Sequence, residues 1–516
     1  MTIGATRPEP PRPPTPALDA ARVSGWPFKS VLVANRGEIA VRVLRTVQAL
    51  GLEGIVVYHA ADRGSPAVRM ADKAIEIRGA TPVAAYLDAE QILQAARDSG
   101  AGAIHPGYGF LSENTAFARA VEAAGLVFIG PTPEQIELMG DKVRARNFVE
   151  KGGFPVAPSA IEDDDPASFV ERARAVGAPL LIKPSAGGGG KGMRIVRDLS
   201  VLEQEIERAR SEGQRYFGDG RLYVERYVEN PRHIEVQVLG DTHGNVVHVF
   251  ERECSVQRRF QKIVEETPSP ALDADKRREI CETAAGIARE AGYRNAGTVE
   301  FIFGQGGEFY FLEMNTRLQV EHPVTEQITG IDLVAEQLRV AAGEALGYTQ
   351  DGIGARGHAI ELRIYAEDAA RGFTPTTGPV LKLRTPQGDG IRIDSGIVEG
   401  GEVTANFDPM IAKLIITGID RDDAIRRADR ALADYALLGC KTNTAFLRRL
   451  IAHPDFVSGD VHTGFLDANP QIAAEPEPDR ATVDALLAAA SLVTRPMRDV
   501  ADAVPDMHAA IGAWRN

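Results

Sequence analysis

Between Lys29 and Ile129 short apolar runs alternate with helix-period segments, and no other feature restricts the fold of this chain as tightly. The runs 31–34 (Val-Leu-Val-Ala), 55–58 (Ile-Val-Val-Tyr), 103–106 (Ala-Ile-His-Pro) and 127–129 (Val-Phe-Ile) have strand length and little room for a wet face. Between them Ile39, Val43, Leu44 and Val47 fall on one side of a helix over 37–49, and further helices are predicted over 89–97 and 115–124. Strands separated by helix-long crossovers pair in parallel, so the stretch predicts an α/β unit around a parallel sheet. Ligands gather beyond the carboxyl ends of such strands. Two polar, glycine-containing loops leave those ends: 35–38 (Asn-Arg-Gly-Glu) and 105–110 (His-Pro-Gly-Tyr-Gly-Phe).

Downstream the pattern changes to locally paired strands, an α+β arrangement from about 141 to 354, and 356 to about 469 reads as a third domain of the α+β class. A chain of 516 residues holds about three domains at roughly 100–200 residues each. The 58 Lys and Arg against 72 Asp and Glu leave a net charge of −14, which argues against a nucleic-acid surface, since that needs a basic footprint. Local basic clusters then read as sites for small anions. Cys254, Cys281 and Cys440 stand far apart without Cys-x-x-Cys spacing, which fits a reducing cytoplasm and offers no zinc or disulfide framework. Residues 1–27 carry seven prolines and no apolar run, so a disordered or polyproline-like arm is expected, with no leader, membrane span or membrane partner. A linker at 475–478 (Glu-Pro-Glu-Pro) precedes an Ala/Leu-rich helix expected over 482–493.

The run 180–184 (Leu-Leu-Ile-Lys-Pro) reads as a strand entering Ser185-Ala186-Gly187-Gly188-Gly189-Gly190-Lys191-Gly192, and 193–196 reads as the returning strand. A Walker A loop has Ser or Thr after its Lys, where this chain has Gly192. A strand–glycine loop–strand hairpin instead suits a flap whose backbone N–H groups close over phosphates, with Lys183 and Lys191 adding charge. A plain floppy turn is the alternative, but successive glycines are costly to order without a ligand.

A second hairpin is the most informative local geometry. Residues 298–303 (Thr-Val-Glu-Phe-Ile-Phe) and 309–315 (Phe-Tyr-Phe-Leu-Glu-Met-Asn) read as strands around Gly306-Gly307, which suits a two-residue primed turn. That turn sets Glu300 opposite Glu313, Thr298 opposite Asn315, Val299 opposite Met314, Phe301 opposite Leu312 and Phe303 opposite Tyr310. Glu300, Glu313 and Asn315 then share a face with Ile302 and Phe311. Like charges directly opposed on a sheet are unfavourable, so a cation is expected between them, and hard oxygen donors suit Mg2+. The alternative, both carboxylates facing water, fits poorly with the apolar Ile302 and Phe311. Arg317, Gln319 and Glu321 follow at period two, so an extended segment points a guanidinium, an amide and a carboxylate one way, a set able to bind a small oxyanion and take its proton.

From about 29 to 469 the chain resembles the biotin carboxylase component of biotin-dependent carboxylases, an ATP-grasp enzyme. The resemblance rests on SVLVANRGEIAVRVLR, HPGYGFLSEN, MGDKVRAR, KPSAGGGGKGM, ERYVENPRHIEVQVLGD, ERECSVQRRFQKIVEE and EMNTRLQVEHPVTE, with RIYAEDA and FDPMIAKL further on. It implies an N-terminal parallel α/β domain (28–140), a central ATP-grasp domain with a mobile lid (141–355, lid about 157–228) and a C-terminal α+β domain (356–470), between the 1–27 arm and a 471–516 linker and helical tail. It also implies that Lys142 and Lys183 contact ATP phosphates under the flap of Gly188, Gly189 and Gly190, and that Glu225, His233 and Gln257 hold adenosine. Glu300 and Glu313 would hold Mg2+ (or Mn2+), with Asn315 near a second ion. Lys262, Arg317, Gln319 and the Val320 N–H would bind bicarbonate, with Glu321 as its base. Arg363 would steady the biotin enolate, with Tyr108 and Gly109 beside the ureido ring.

The implied reaction activates bicarbonate as carboxyphosphate and passes CO2 to biotin. No Met-Lys-Met-type biotinylation motif is found, so biotin is expected on a separate carrier protein, with a carboxyltransferase partner and a homodimer or larger hetero-complex. The chain departs from the family pattern in having Phe260 where His is usual, Ala186 at the start of the glycine run, and Asn406-Phe407 where Tyr-Tyr is frequent. Phe cannot donate a hydrogen bond, which motivates a rival reading as a catalytically weakened nucleotide-binding assembly or regulatory subunit. An ATP-grasp ligase with another acceptor is a further alternative.

Overall fold

The apolar runs near the amino end become parallel strands buried on both faces. In this computed structural model, which describes residues 25–162, 165–184, 193–217, 219–477 and 479–493, the strands β1 (Ser30–Val33), β2 (Glu53–Tyr58), β3 (Lys73–Glu76), β4 (Ala103–His105) and β5 (Val127–Phe128) lie in the order β3-β2-β1-β4-β5. Val31 and Val33 pack with Ile39, Val43 and Val47 of helix Gly37–Ala49 on one face. Leu32, Ile55 and Ile104 pack with Ile92, Leu93 and Phe117 on the other. β3 was not expected, because a half-exposed edge strand carries no apolar run. The order reverses direction at β1, so the loops leaving β1 and β4 meet at the switch point. Asn35 Nδ2 ties them together, donating to the carbonyls of Pro106 and Tyr108 at 2.8 Å each.

A smaller sheet follows, β6 (Ser159–Ile161), β7 (Leu180–Pro184), β8 (Arg194–Val196) and β9 (Leu222–Arg226), in the order β6-β9-β7-β8. The expected hairpin arms β7 and β8 pair antiparallel, Leu180 opposite Val196. Gly188, Gly189, Gly190 and Lys191 lie outside the described residues, as do 1–24 of the Pro-rich arm.

The largest sheet is antiparallel throughout: β10 (Arg232–Gly240), β11 (Val246–Arg258), β12 (Gln261–Thr267), β13 (Asn295–Phe303), β14 (Phe309–Asn315), β15 (His358–Tyr365), β16 (Ile391–Ser395) and β17 (Met410–Gly418), in the order β14-β13-β10-β11-β12-β15-β17-β16. Ile234, Val236, Val299 and Phe301 bury one face against Ile280, Ala284 and Ile287 of helix Ala274–Glu290. The sheet runs unbroken from the 141–355 segment into the next, because β12 pairs with β15.

The β13–β14 hairpin departs from expectation in two compensating ways. Gly304 N–H donates to the Glu308 carbonyl at 2.8 Å, so the tip has three residues rather than two, with Gly307 at φ +84°. Phe301 therefore faces Phe311 and Phe303 faces Phe309, not Leu312 and Tyr310. A bulge at Leu312 then absorbs the extra residue and restores Glu300 opposite Glu313 and Thr298 opposite Asn315. Phe311 consequently packs in the apolar core with Phe301 and not beside the carboxylates.

Among the described residues, those up to Ile472 form one unit and those from Ala473 another, the latter containing helix Arg480–Val493. Among the described residues no helix is long and apolar enough to cross a membrane.

Candidate functional site

Polar residues alternate with apolar ones along β10: His233, Glu235 and Gln237 against Ile234, Val236 and Val238. Antiparallel register converts that alternation into a row across four strands, Arg252–Glu235–Glu300–Glu313. Three neighbouring carboxylates repel unless cations lie among them. Arg252 contacts Glu235, and Lys262 Nζ reaches Glu235 Oε2 at 2.5 Å, Glu300 Oε1 at 3.0 Å and Glu321 Oε1 at 2.7 Å. Glu321 also accepts from Arg363 Nη2 at 2.9 Å, and Arg363 Nε donates to Glu265 at 2.6 Å. Arg252, Glu235, Glu265 and Glu321 are fully buried.

Burial opposes every charge in this cluster, and the partners decide which survive. Desolvation would depress the Lys262 ammonium, but Glu235, Glu300 and Glu321 outweigh it and hold its pKa well above the usual lysine value. Desolvation would raise Glu321, but Lys262, Arg363 and Arg252 hold it well below the usual carboxylate range. Glu300 is likewise lowered against burial by Lys262 and His233. For Glu265 burial wins over Arg363, and its pKa is pushed up to about 7.

The other residues singled out from sequence gather around this core in part. His233 Nε2 lies 2.7 Å from Glu300 Oε2, and Gln257 Nε2 is 3.0 Å from His233 Nδ1. Asn315 and Gln319 donate to Glu300 Oε1 at 2.8 and 3.0 Å. Arg317 donates to Gln319 Oε1 at 3.0 Å and Asn315 Oδ1 at 3.1 Å. The 316–321 segment is not a continued strand: it turns after Gln319, and Glu321 becomes the N-cap of helix His322–Thr329. Period-two spacing therefore does not place Glu321; the turn delivers it to Lys262 Nζ. Lys142 Nζ pairs with Glu313 Oε2 at 2.7 Å. Lys183 pairs with Glu225 on the smaller sheet, and among the described residues no ion pair or hydrogen bond joins that pair to the Lys262 cluster.

A cavity of about 350 Å3 opens onto the cluster, lined by Tyr108, Gly109, Val320, Arg363 and Phe407. It joins the loop after β4 to the edge of the charged face. Sequence reading missed Glu235, Arg252 and Glu265. The alternation in β10 was a usable signal for Glu235, whereas bulges on β11 break the periodicity that would have placed Arg252.

The donor set fits a hard divalent cation. Glu300 and Glu313 oppose each other, Lys262 keeps the Glu300 carboxylate ionised, and Asn315 stands beside them with its amide nitrogen on Glu300 and its Oδ1 on Arg317.

Three family descriptions match the chain: Biotin carboxylase, N-terminal domain, over 27–136; Carbamoyl-phosphate synthase L chain, ATP binding domain, over 141–349; and Biotin carboxylase C-terminal domain, over 361–468. The chain belongs to the biotin carboxylase family. A biotin carboxylase of Halalkalibacterium halodurans is 50% identical over 443 residues, 85% of this chain and 97% of that protein. The mitochondrial methylcrotonoyl-CoA carboxylase subunit alpha of Mus musculus is 48% identical over 444 residues, 86% of this chain but 62% of that protein. Among solved structures, the biotin carboxylase domain dimer of Hydrogenobacter thermophilus 2-oxoglutarate carboxylase, in complex with MgADP, ADP and bicarbonate, superposes with TM-score 0.79 at 45% identity, covering 87% of this chain and 99% of that one. The fold is accordingly that of the ATP-grasp biotin carboxylases.

Proposed function

We propose that this chain carboxylates biotin borne on a carrier outside these 516 residues, using ATP and bicarbonate, as the first half-reaction of a biotin-dependent acyl-CoA carboxylase. The chain spans 62% of the mouse and rat methylcrotonoyl-CoA carboxylase α subunits, so carrier, carboxyltransferase and acyl-CoA belong to this proposal. The observation that carries it is Glu321, buried, ionised and gripped between Lys262 and Arg363.

In this reading Lys262, Arg317, Gln319 and the Val320 N–H orient bicarbonate, and Glu321 takes its proton. The resulting oxyanion attacks the γ-phosphorus of ATP, forming carboxyphosphate and releasing ADP. Lys142 and Lys183 neutralise phosphate charge, and Glu225, His233 and Gln257 hold the nucleoside. Glu300 and Glu313, with Asn315, would hold Mg2+ or Mn2+, which when bound supplies charge neutralisation at the phosphates. Carboxyphosphate breaks into CO2 and phosphate, phosphate removes the biotin N1′ proton, and the enolate captures CO2. Arg363, facing the cavity of Tyr108 and Gly109, stabilises the enolate oxygen.

The test is ATP hydrolysis with and without bicarbonate, in the presence of free biotin or biotinylated carrier. Wild-type turnover should require bicarbonate, and Glu321→Gln should lose on the order of 10²- to 10⁴-fold, the range of a positioned general base. ATP turnover indifferent to bicarbonate would overturn the proposal. The weakened-subunit reading draws on one observation, the polar family position occupied by Phe260, whose side chain is 87% exposed.

A further inference from the structure

Lys413 lies on β17 with no solvent exposure of its side chain, directly opposite Arg363 on β15 and Asp394 on β16. Two cations side by side on a sheet are unfavourable, and burying an ammonium is costly, so this lysine is held there against two penalties. Glu38, Glu361 and Asp394 hold its charge against burial. Both carboxylate oxygens of Glu38 and of Glu361 are buried without a hydrogen bond, and Glu38 Oε2 stands 3.4 Å from the ammonium. Yet the close hydrogen bond of Lys413 Nζ goes to a neutral acceptor, the Val320 carbonyl, at 2.6 Å.

That carbonyl belongs to the peptide leading into Glu321. Residues 316–321 make no sheet ladder, so little backbone bonding fixes them. The His322 N–H reaches the Gln319 carbonyl at a long 3.4 Å, while His322 Nδ1 is 2.7 Å from the same oxygen. Lys413 thus makes the shorter of the two backbone contacts on the second half of the turn, the other being the Val324 N–H on the Glu321 carbonyl at 3.3 Å. Holding the Val320–Glu321 peptide sets the direction in which the Glu321 carboxylate leaves the backbone toward Lys262 and Arg363.

We propose that Lys413 is a positioning residue for carboxylation, holding through the Val320 carbonyl the turn that aims the Glu321 base. The inference rests on the function proposed above. A purely structural role, neutralising the buried Glu38, Glu361 and Asp394, is the rival. Burial already pushes Glu38 up to about 7 and Glu361 well above the usual carboxylate range, so both carboxyls can go uncharged without the lysine, and Asp394 keeps Arg392 at 2.7 Å as its cation.

Lys413→Met, Glu38→Gln and the double variant are compared with wild type for melting temperature, KM for MgATP, and kcat of bicarbonate-dependent ATP hydrolysis. A misaimed base predicts that Lys413→Met loses on the order of 10²-fold in kcat with KM for MgATP unchanged. The double variant should regain any lost melting temperature while kcat stays low. Wild-type kcat in either chain lacking Lys413 overturns the inference, as does failure of both to fold, which would make Lys413 a packing requirement. Wild-type turnover independent of bicarbonate removes the proposed function itself, and the inference with it.

Discussion

In the parallel sheet, Val31, Leu32 and Val33 of β1 are buried apolar residues on both faces, and the polar groups Asn35 and His105 gather at strand ends. In the eight-stranded sheet one face carries the apolar core, with Glu251 and Glu253 buried beside it, and Glu235, Glu300, Lys262, Arg363 and Lys413 occupy the other. One sheet offers backbone and loops beside a cavity; the other is itself a lattice of buried charge. The first arrangement leaves few charges to compensate, so its cost lies in keeping individual polar groups neutral. The second balances each charge against neighbours on adjacent strands, so removing one member strands the rest.

That contrast breaks most readily at Arg252. It is fully buried, contacts Glu235, and donates to Gln237 at 2.9 Å and Thr325 at 3.0 Å. Arg252→Met should cost about 3–5 kcal/mol in unfolding free energy, because Glu235 loses one of its two cations in a dry site. The exposed Arg97–Glu90 pair is the control: Arg97→Met should stay within about 0.5 kcal/mol. Denaturant titration of both variants decides it. A loss at Arg252 no larger than at Arg97 would mean the charged face is not a mutually dependent lattice.

The matching test in the parallel sheet is His105. Gly107 N–H donates to its Nδ1 at 3.0 Å and Nε2 faces Gln337 Oε1 at 3.2 Å, an arrangement that suits neutral imidazole with its hydrogen on Nε2. Burial lowers its pKa to about 4. The unfolded chain, with an ordinary histidine pKa of about 6.5, binds more protons between those values, so stability rises with pH there. The contribution is intact above pH 6.5 or so, falls as pH drops toward about 4, and totals at most about 3 kcal/mol. His105→Gln should show a shallower loss of stability on acidification than wild type. The buried His248 and His322 are common to both chains, so the difference isolates His105. Equal pH dependence in the two would mean that the loop carrying Tyr108 and Gly109 does not depend on neutral His105.

The same two regions differ in how far their sequence discloses them. Strands buried on both faces print their apolarity directly, so β1, β2, β4 and β5 were legible while the half-exposed β3 was not. Period two in the large sheet tells which residues share a face but not which strands adjoin. Glu300 opposite Glu313 was reachable because the strands are local in sequence, and even there the three-residue tip and the Leu312 bulge had to cancel. Glu235 opposite Glu300 joins strands 65 residues apart, and no local signal sets that register. Glu321 was found as a candidate for its chemistry, but its position comes from a turn anchored by Lys413, which lies 93 residues away. Buried charge lattices are assembled by long-range pairing, and only their ingredients are visible locally.

The smallest effect comes where the large sheet ends in a loop. Arg258 faces Gln261, leaving Arg259 (φ +48°) and Phe260 (φ +67°) as a two-residue turn with both residues left-handed. Such turns favour Asn-Gly, and an L side chain in that region costs about 1 kcal/mol. With its side chain 87% exposed, Phe260 recovers little of this by packing. Phe260→Gly should therefore stabilise the chain by up to about 1 kcal/mol, measured by denaturant titration. Phe260→His keeps the strained backbone and should shift stability by less than about 0.5 kcal/mol, which makes it a clean probe of chemistry two residues from Lys262. If the charged face alone sets the rate, bicarbonate-dependent turnover should be unchanged in Phe260→His. A large gain would show that this site draws on its loop as the parallel sheet does, and would move the chain toward the weakened-subunit reading.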